Sequence, residues 1–202
     1  IVVGPEGSEI HVDSKGQIKV QFHWDREGQH DDGSSCWIRT MQPWAGANWG
    51  VQFIPRVGME VVVVFEGGDP DKPLVLGAVT NATHPPAFKL PESKTISGFR
   101  TATTPGGNGY NELSFDDAAG EERIILRAQH DLDEVVQHNH SRLIENDQQL
   151  KVAGNKHELI ERKLAITVKG DREEQVLGNQ LETVAGNSEQ RVTGMATVRV
   201  EG

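Results

Sequence analysis

The sequence holds a single cysteine, Cys36, so no intrachain disulfide framework can staple it. Cys36 stands among apolar, strand-forming residues, which points to a buried and inert thiol. Aromatic residues make up 5% of the chain and hydrophobic residues 36%, thin for a compact globule of 202 residues. That shortfall matches a long, narrow part with little core. No apolar run is long enough to span a bilayer, and no leader pattern opens the chain. Positive charge is scarce: 20 Lys and Arg stand against 30 Asp and Glu, a net charge of −10. The balance disfavours nucleic acid and anionic membrane surfaces as partners. The chain opens on Ile1 and stops within a repeat at Gly202, so a fragment of something longer at both ends is expected.

What the sequence has in quantity is a repeat. Val136, Ile144, Val152, Ile160, Val168, Val176, Val184, Val192 and Val200 place a β-branched residue at every eighth position. Two places after most of them comes glycine, at Gly154, Gly170, Gly178, Gly186, Gly194 and Gly202, often followed by Asn or Asp. A strand has a side-chain period of two, so residues eight apart share a face. On a helix, eight steps drift by roughly 80°, and the valines would spiral instead of lining one stripe. Each glycine would also cost a helix about 1 kcal/mol. Val and Ile suit a pleated surface, and Gly before Asn or Asp suits a kink with positive φ. The octads therefore predict short β-segments with a regular bend, repeated along an axis.

Such a ribbon cannot stand alone. Each octad offers one firm apolar anchor, and most other positions are polar or charged. A monomeric solenoid needs several inward apolar residues per rung, and an isolated ribbon exposes unpaired strand edges. The economical solution is several identical chains wound together, with the β-branched residues facing a shared axis. Period alone does not say how many. The rival reading of a disordered polar tail does not account for a β-branched residue in phase nine times.

Residues 1–81 read as a small β-barrel, with strand candidates at 1–3, 18–24, 36–41, 59–65 and 74–79. Turn signals separate them, as in Asp13-Ser14-Lys15-Gly16 and Gly67-Gly68-Asp69-Pro70-Asp71. Five short strands without a helical pattern fit a Greek-key barrel of the OB type. Residues 82–98 form a Pro-rich linker, residues 99–135 a neck with strands at 112–115 and 123–128, and residues 136–202 the octad region.

The order of motifs resembles the VgrG family, spike proteins of bacterial type VI secretion systems. The resemblance rests on Ile18-Lys19-Val20-Gln21-Phe22-His23-Trp24-Asp25-Arg26-Glu27-Gly28, Ser35-Cys36-Trp37-Ile38-Arg39, Gln42-Pro43-Trp44-Ala45-Gly46 and Phe53-Ile54-Pro55-Arg56-Val57-Gly58-Met59-Glu60-Val61. It continues through Gly68-Asp69-Pro70-Asp71-Lys72-Pro73 and Thr104-Pro105-Gly106-Gly107-Asn108-Gly109-Tyr110 into the octads, covering nearly the whole chain. The family is also similar to the hub and needle of contractile phage tails. The resemblance implies an all-β protein: an OB barrel followed by an intertwined β-helix of three chains. It further implies a mechanical role, puncture of a target-cell envelope under sheath contraction, with effectors carried along. A homotrimer, an Hcp-type inner-tube protein, a PAAR-type tip protein and transient passage through target membranes are the partners it implies. Assembly in the bacterial cytoplasm followed by secretion is its implied location.

Beside that resemblance, the residues that invite chemistry have plainer readings. Asp116, Asp117, Glu121 and Glu122 flank a turn at Gly120, where acids are ordinary. Glycosidase chemistry needs two carboxylates across a cleft. His138 and His140 alternate and could gather as an imidazole cluster from several chains, but polar octad filling is the simpler reading. His23, Asp25, His30, Asp31 and Asp32 fit no standard metal-ligand spacing and read as loop. Trp24, Trp37, Trp44 and Trp49 read as core or interface packing rather than ligand stacking. No catalytic residue, metal or cofactor is expected. The proposed working parts are the nine β-branched residues as an axial core and Gly154, Gly170, Gly178, Gly186 and Gly194 as kinks. His138, Asn146 and Arg162 stand where glycine would be expected, which predicts a less regular upper region. Two other classes compete: a phage-tail or adhesin-like fibre binding a surface ligand, and a β-solenoid enzyme.

Overall fold

The structure, a computed structural model, describes residues 1–199, so Val200 and Gly202 lie outside the described residues. The chain divides into two compact units, Ile1–Asn139 and His140–Gly202. No α-helix occurs among the described residues. No helix is long and apolar enough to cross a membrane.

In the first unit, β1 (Val2–Val3), β2 (Lys19–Val20), β3 (Arg39–Thr40), β4 (Glu60–Phe65) and β5 (Pro73–Val79) close into a ring. β1 pairs antiparallel with β2 through Val2↔Val20. The chain leading into β2 meets the chain leading into β3 where Ile18 and Ile38 exchange backbone hydrogen bonds of 3.0 and 2.8 Å. β3 runs parallel to β5, and β5 pairs antiparallel with β4. Just before β4 the ring closes back on β1: the amide of Val2 donates to the Met59 carbonyl, and the amide of Gly58 donates to the Val2 carbonyl. The strand order is thus 1-2-3-5-4-1, a closed five-stranded barrel with no free edge.

Alternation decides what fills it. Val2, Ile18, Val20, Ile38 and Val75 are buried together, with Phe22, Ile54, Met59, Val61 and Val63 packed against them. Val62 and Val64, one residue out of phase, face outward. The ladder slips between Val62 and Val63, a bulge that leaves one β5 residue without a partner and bends the strand as barrel closure requires. Gln21 is the one polar side chain sealed beside this core, with its amide donating to the Asp25 carbonyl at 3.2 Å. Gly28 lies against it so closely that an added Cβ would stand 2.1 Å from the Gln21 side chain.

Two expectations are corrected here. Cys36 is exposed, not buried. The Ser35 hydroxyl accepts from the Val20 amide at 3.0 Å and donates to the Cys36 carbonyl. A side chain thereby replaces the ladder, and the inward alternation begins only at Ile38. Of the core-or-interface reading of the tryptophans, the core half fails for Trp24, Trp44 and Trp49, which are exposed, Trp24 stacking on Phe22 at 4.6 Å. Only Trp37 is partly covered, 4.8 Å from His11 with the Lys19 ammonium above it.

The first unit also holds a three-stranded antiparallel meander of β6 (Ile96–Arg100), β7 (Glu112–Asp116) and β8 (Arg123–Arg127). β6 begins inside the stretch assigned from sequence to the linker. Its propensity is weak because of Ser97 and Gly98, and pairing with β7 is what makes it a strand. Gly98 has φ 152°, and a Cβ there would stand 2.3 Å from the Leu113 carbonyl oxygen, so the cross-strand approach requires glycine. The meander is tied to the barrel by Glu9, which accepts from the Thr104 hydroxyl at 2.6 Å, and by Arg56, which donates to the Ala102 carbonyl at 2.8 Å.

Candidate functional site

Two surfaces stand out: the octads, and one face of the meander. From residue 141 to 199 no strand and no backbone–backbone hydrogen bond occurs among the described residues. Yet the path is regular. The backbone bends at 137–138, 145–146, 153–154, 161–162, 169–170, 177–178, 185–186 and 193–194, one bend per octad. An extended chain whose amides and carbonyls lack partners within itself leaves a full set of strong donors and acceptors to be satisfied from outside.

The β-branched residues occupy one repeating environment. Val136, Ile144, Val152, Ile160, Val168, Val176, Val184 and Val192 are all between 44% and 50% exposed. Apolar residues at adjoining positions are far more open: Leu143 and Leu159, each just before a seam residue, are 86% and 85% exposed, and Leu177, just after one, is 92% exposed. Each octad thus half-covers its own Val or Ile and leaves the other half bare. Extended geometry also shows in two ion pairs of identical phase, Lys156–Glu158 at 2.9 Å and Arg172–Glu174 at 2.7 Å. Residues two apart touch only where the chain is extended and they share a face.

The bends need a different account from the one the glycines suggest. Gly154, Gly170, Gly178, Gly186 and Gly194 do lie in bends, but none has positive φ, and a Cβ at any of them meets nothing within 4 Å in its own chain. A bend without positive φ is open to any residue. This explains why the octads with His138, Asn146 and Arg162 bend at the same phase as the others, where less regularity was expected.

The meander is built inside out. Pairing aligns Phe99, Leu113 and Leu126 in one row and Ser97, Phe115 and Ile124 in the next, all on one face. Phe99, Ile124 and Leu126 are more than half exposed, and Leu113 and Phe115 are 36% exposed. The opposite face carries Arg100, Glu112, Ser114, Asp116, Arg123 and Arg127 beside Ile96 and Ile125, and its centre at Glu112 and Ser114 is buried. Glu112 is buried at 8% exposure and takes two bonds from Arg100, of 2.7 and 2.6 Å, and one of 2.6 Å from the Ser114 hydroxyl. The Ser114 hydrogen bond, followed by the Arg100 guanidinium, holds the Glu112 carboxyl below the usual carboxylate range. Arg100 also lies against Phe88 and Tyr110, and Arg127 stacks 3.7 Å from the Tyr110 ring centre. An apolar sheet face turned to water while charges are turned inward marks a surface made for a protein partner. Sequence reasoning had placed strands here without seeing this face. Its signal was the alternation Leu113-Ser114-Phe115 paired with the apolar run Ile124-Ile125-Leu126 between Arg123 and Arg127.

The remaining candidates are dispersed. Asp116 accepts from the Thr95 hydroxyl at 2.8 Å, tying the start of β6 to β7, and from the Ala118 amide at 3.3 Å, while Glu122 accepts from the Gly120 amide at 2.9 Å, so both carboxylates also serve the turn between β7 and β8. Asp25 accepts from the amides of Glu27 and Gly28, which lowers its pKa and shapes the loop. His138 and His140 are exposed. Trp44 and Trp49 pack edge to face, 5.2 Å apart, on an exposed loop. Trp49 also borders a barrel groove of about 720 Å³, together with the 12–16 turn.

Two family models match the chain, and their boundaries differ from those of the two compact units. Residues 9–79 match the type VI secretion system/phage-baseplate injector OB domain. Residues 97–202, just over half of the chain, match the bacteriophage T4 gp5 C-terminal trimerisation domain. The class is therefore an injector-type OB domain followed by a trimerisation domain. The chain is 50% identical over 157 residues to the type VI secretion system spike protein VgrG4b of Pseudomonas aeruginosa, and 49% identical over 151 residues to VgrG3 of Vibrio cholerae. These alignments cover 78% and 75% of this chain but only 18% and 15% of those relatives. A Vibrio cholerae relative named actin cross-linking toxin VgrG1 is 48% identical over 156 residues, 13% of its length. The chain belongs to the VgrG family of type VI secretion spike proteins.

Proposed function

We propose that this chain is the barrel and needle portion of a homotrimeric type VI spike that punctures target-cell envelopes by mechanical force. The observation that carries the reading is the octad region: a backbone with no partners of its own and a half-covered β-branched seam that recurs without interruption. Three chains wound together supply what one lacks. Each chain's edges pair with its neighbours, and the seam residues from Val136 to Val192 meet along the axis. The apolar meander face (Phe99, Leu113, Phe115, Ile124, Leu126) closes against the same neighbours, consistent with a trimerisation match that begins at residue 97. Under this reading 1–81 is the barrel, 82–98 the linker, 99–135 the neck and 136–202 the needle.

Mechanics follow from the architecture. Repeats stabilise one another through neighbouring interfaces. Freeing one chain requires unwinding the others, so the barrier to unfolding is high and the needle is kinetically durable. A polar outer face leaves little to adhere during passage through a membrane. The part acts without catalysis. An inner-tube protein of the Hcp type, a PAAR-type tip and carried effectors are the partners, and the spike is assembled in the bacterial cytoplasm before secretion.

Sedimentation equilibrium over a wide concentration range tests this reading. A species of three chains that persists on dilution is expected. A monomer would end the shared-axis account. A second reading, a fibre that binds a surface ligand, draws on exposed Trp44 and Trp49 beside the barrel groove. Tight glycan binding by a monomeric chain, lost on Trp49→Ala, would favour it.

A further inference from the structure

A seam that repeats every eight residues cannot tell one register from the next. If one of three chains slides by a full octad, every β-branched residue still meets another, and only the ends lose contact. Something beyond the seam must select the register, as it must wherever a uniform pattern is paired.

The residues four and six places after each seam residue share one face with the next seam residue, because the extended chain has a period of two. The ion pairs Lys156–Glu158 and Arg172–Glu174 show directly that the two positions face the same way as each other. Along the chain these pairs change character. Lys156–Glu158 is followed one octad later by Leu164 and Ile166, and one octad after that by Arg172–Glu174. Leu164 and Ile166 are 60% and 64% exposed, less than the out-of-phase Leu177 and Leu181 at 92% and 91%. Val198, in the last described octad, is 90% exposed, with no following octad among the described residues to cover it. Arg172, Glu174, Gln180 and Glu182 line a groove of about 610 Å³, with Leu181 completing its wall. Arg172 with Glu174 and Gln180 with Glu182, the same positions of two successive octads, thus border one shallow concavity that Leu181 also borders.

We infer that these positions form a stack of chemically distinct layers, ionic at 156/158, apolar at 164/166 and ionic at 172/174, which fixes the register of three copies of this chain. The inference rests on the trimer reading above. In register, three lysines and three glutamates alternate around one level, each carboxylate between two ammonium groups, while three Leu–Ile pairs close the level below. A slip of one octad sets an ion pair among Leu and Ile side chains and strands apolar groups against charge. Burying an ion pair without a completing network is unfavourable. A slip of two octads restores ionic against ionic at one level, yet places Leu164 and Ile166 opposite Gln180 and Glu182. The arrangement parallels the polar residue that sets register in a coiled coil.

The test uses the full chain with Cys36→Ser and one spin label at Glu189→Cys, on the opposite face. Label-to-label distances are read by pulsed electron resonance, and mass by sedimentation on the same samples. The parent is expected to be a trimer with one narrow distance distribution. Two variants make the three layers alike, one apolar (Lys156→Leu, Glu158→Ile, Arg172→Leu, Glu174→Ile) and one ionic (Leu164→Lys, Ile166→Glu). The ionic variant guards against aggregation of the apolar one. Each is expected to remain a trimer but to gain a second, longer distance from slipped chains. Trimeric variants that keep the single narrow distance would overturn the inference and assign register to the meander. A broad distribution in the parent would overturn it as well. A monomeric parent would instead remove the trimer reading beneath it.

Discussion

Placing a charge in the seam is the sharpest probe of the axial core, and Val176→Asp is the substitution to make. Val176 is 47% exposed in one chain, so about half of its side chain waits to be covered. Full burial of a valine is worth about 1.5–3 kcal/mol, so the uncovered half contributes about 1 kcal/mol per chain and about 3 kcal/mol over three chains. Aspartate forfeits that and sets three carboxylates at one level. Two such charges at about 4 Å repel by about 4 kcal/mol at an effective dielectric of about 20. Desolvation adds several kcal/mol for each. The total exceeds about 10 kcal/mol, comparable with the whole stability of an ordinary domain at about 5–15 kcal/mol. Sedimentation equilibrium and a circular-dichroism melt at pH 7 should show loss of the trimer. Acid should restore part of it, because protonation removes the repulsion. Leu177→Lys serves as the control: at 92% exposure it should leave mass and melting unchanged. A Val176→Asp trimer that melts like the parent would refute the shared axis.

Three further expectations concern the meander and the bends. Glu112→Ala leaves Arg100 uncompensated beside Ser114 and should lower stability by about 3 kcal/mol in a denaturant titration, toward the lower end for a broken buried pair because Arg100 is partly exposed. Since folding depresses the Glu112 pKa, its contribution is present above the ordinary glutamate value near about 4.3 and disappears as pH falls through the lower folded value. A melt series from pH 6 to 3 should therefore lose a step of destabilisation in the variant. Ile124→Ser with Leu126→Ser removes apolar side chains that a lone chain leaves mostly in water; the trimer's melting temperature should fall, whereas an unchanged melt would mean that this face stays wet. Gly178→Ala meets nothing in its own chain and requires no positive φ, so it should be neutral or slightly favourable, by about 0.4–1 kcal/mol, in a monomer. A drop in melting temperature is expected instead, reporting a neighbouring chain pressed against the bend.

The tryptophans and Cys36 mark where residue type and residue environment part company. Both kinds of residue are frequent inside proteins; an apolar neighbourhood suggested burial for Cys36, and scarce positive charge suggested core or interface packing for the tryptophans. The barrel is too small to take them in: its interior is filled by Val2, Ile18, Val20, Ile38 and Val75. Whether Cys36 pointed inward depended on where the ladder began, and that was set by a single Ser35 hydroxyl.

The octad period and the all-β character were determined by sequence alone, and the expectation of more than one chain came from the same pattern. A period of eight is commensurate with a strand and not with a helix, and that property belongs to the residue pattern whatever the chain packs against. The barrel's strands were legible from alternation for the same local reason. The closure of the barrel at Val2, Gly58 and Met59 was decided only in three dimensions, because it joins residues more than fifty apart whose hydrogen bonds carry no side-chain signature. So was the inverted meander: alternation says that two faces differ, but only the placement of Arg100, Phe88 and Tyr110 over Glu112 decides which face is covered. The octad bends, too, required the backbone. Glycine permits positive φ without demanding it, and here the chain turns in a region open to Asn146 and Arg162 as well.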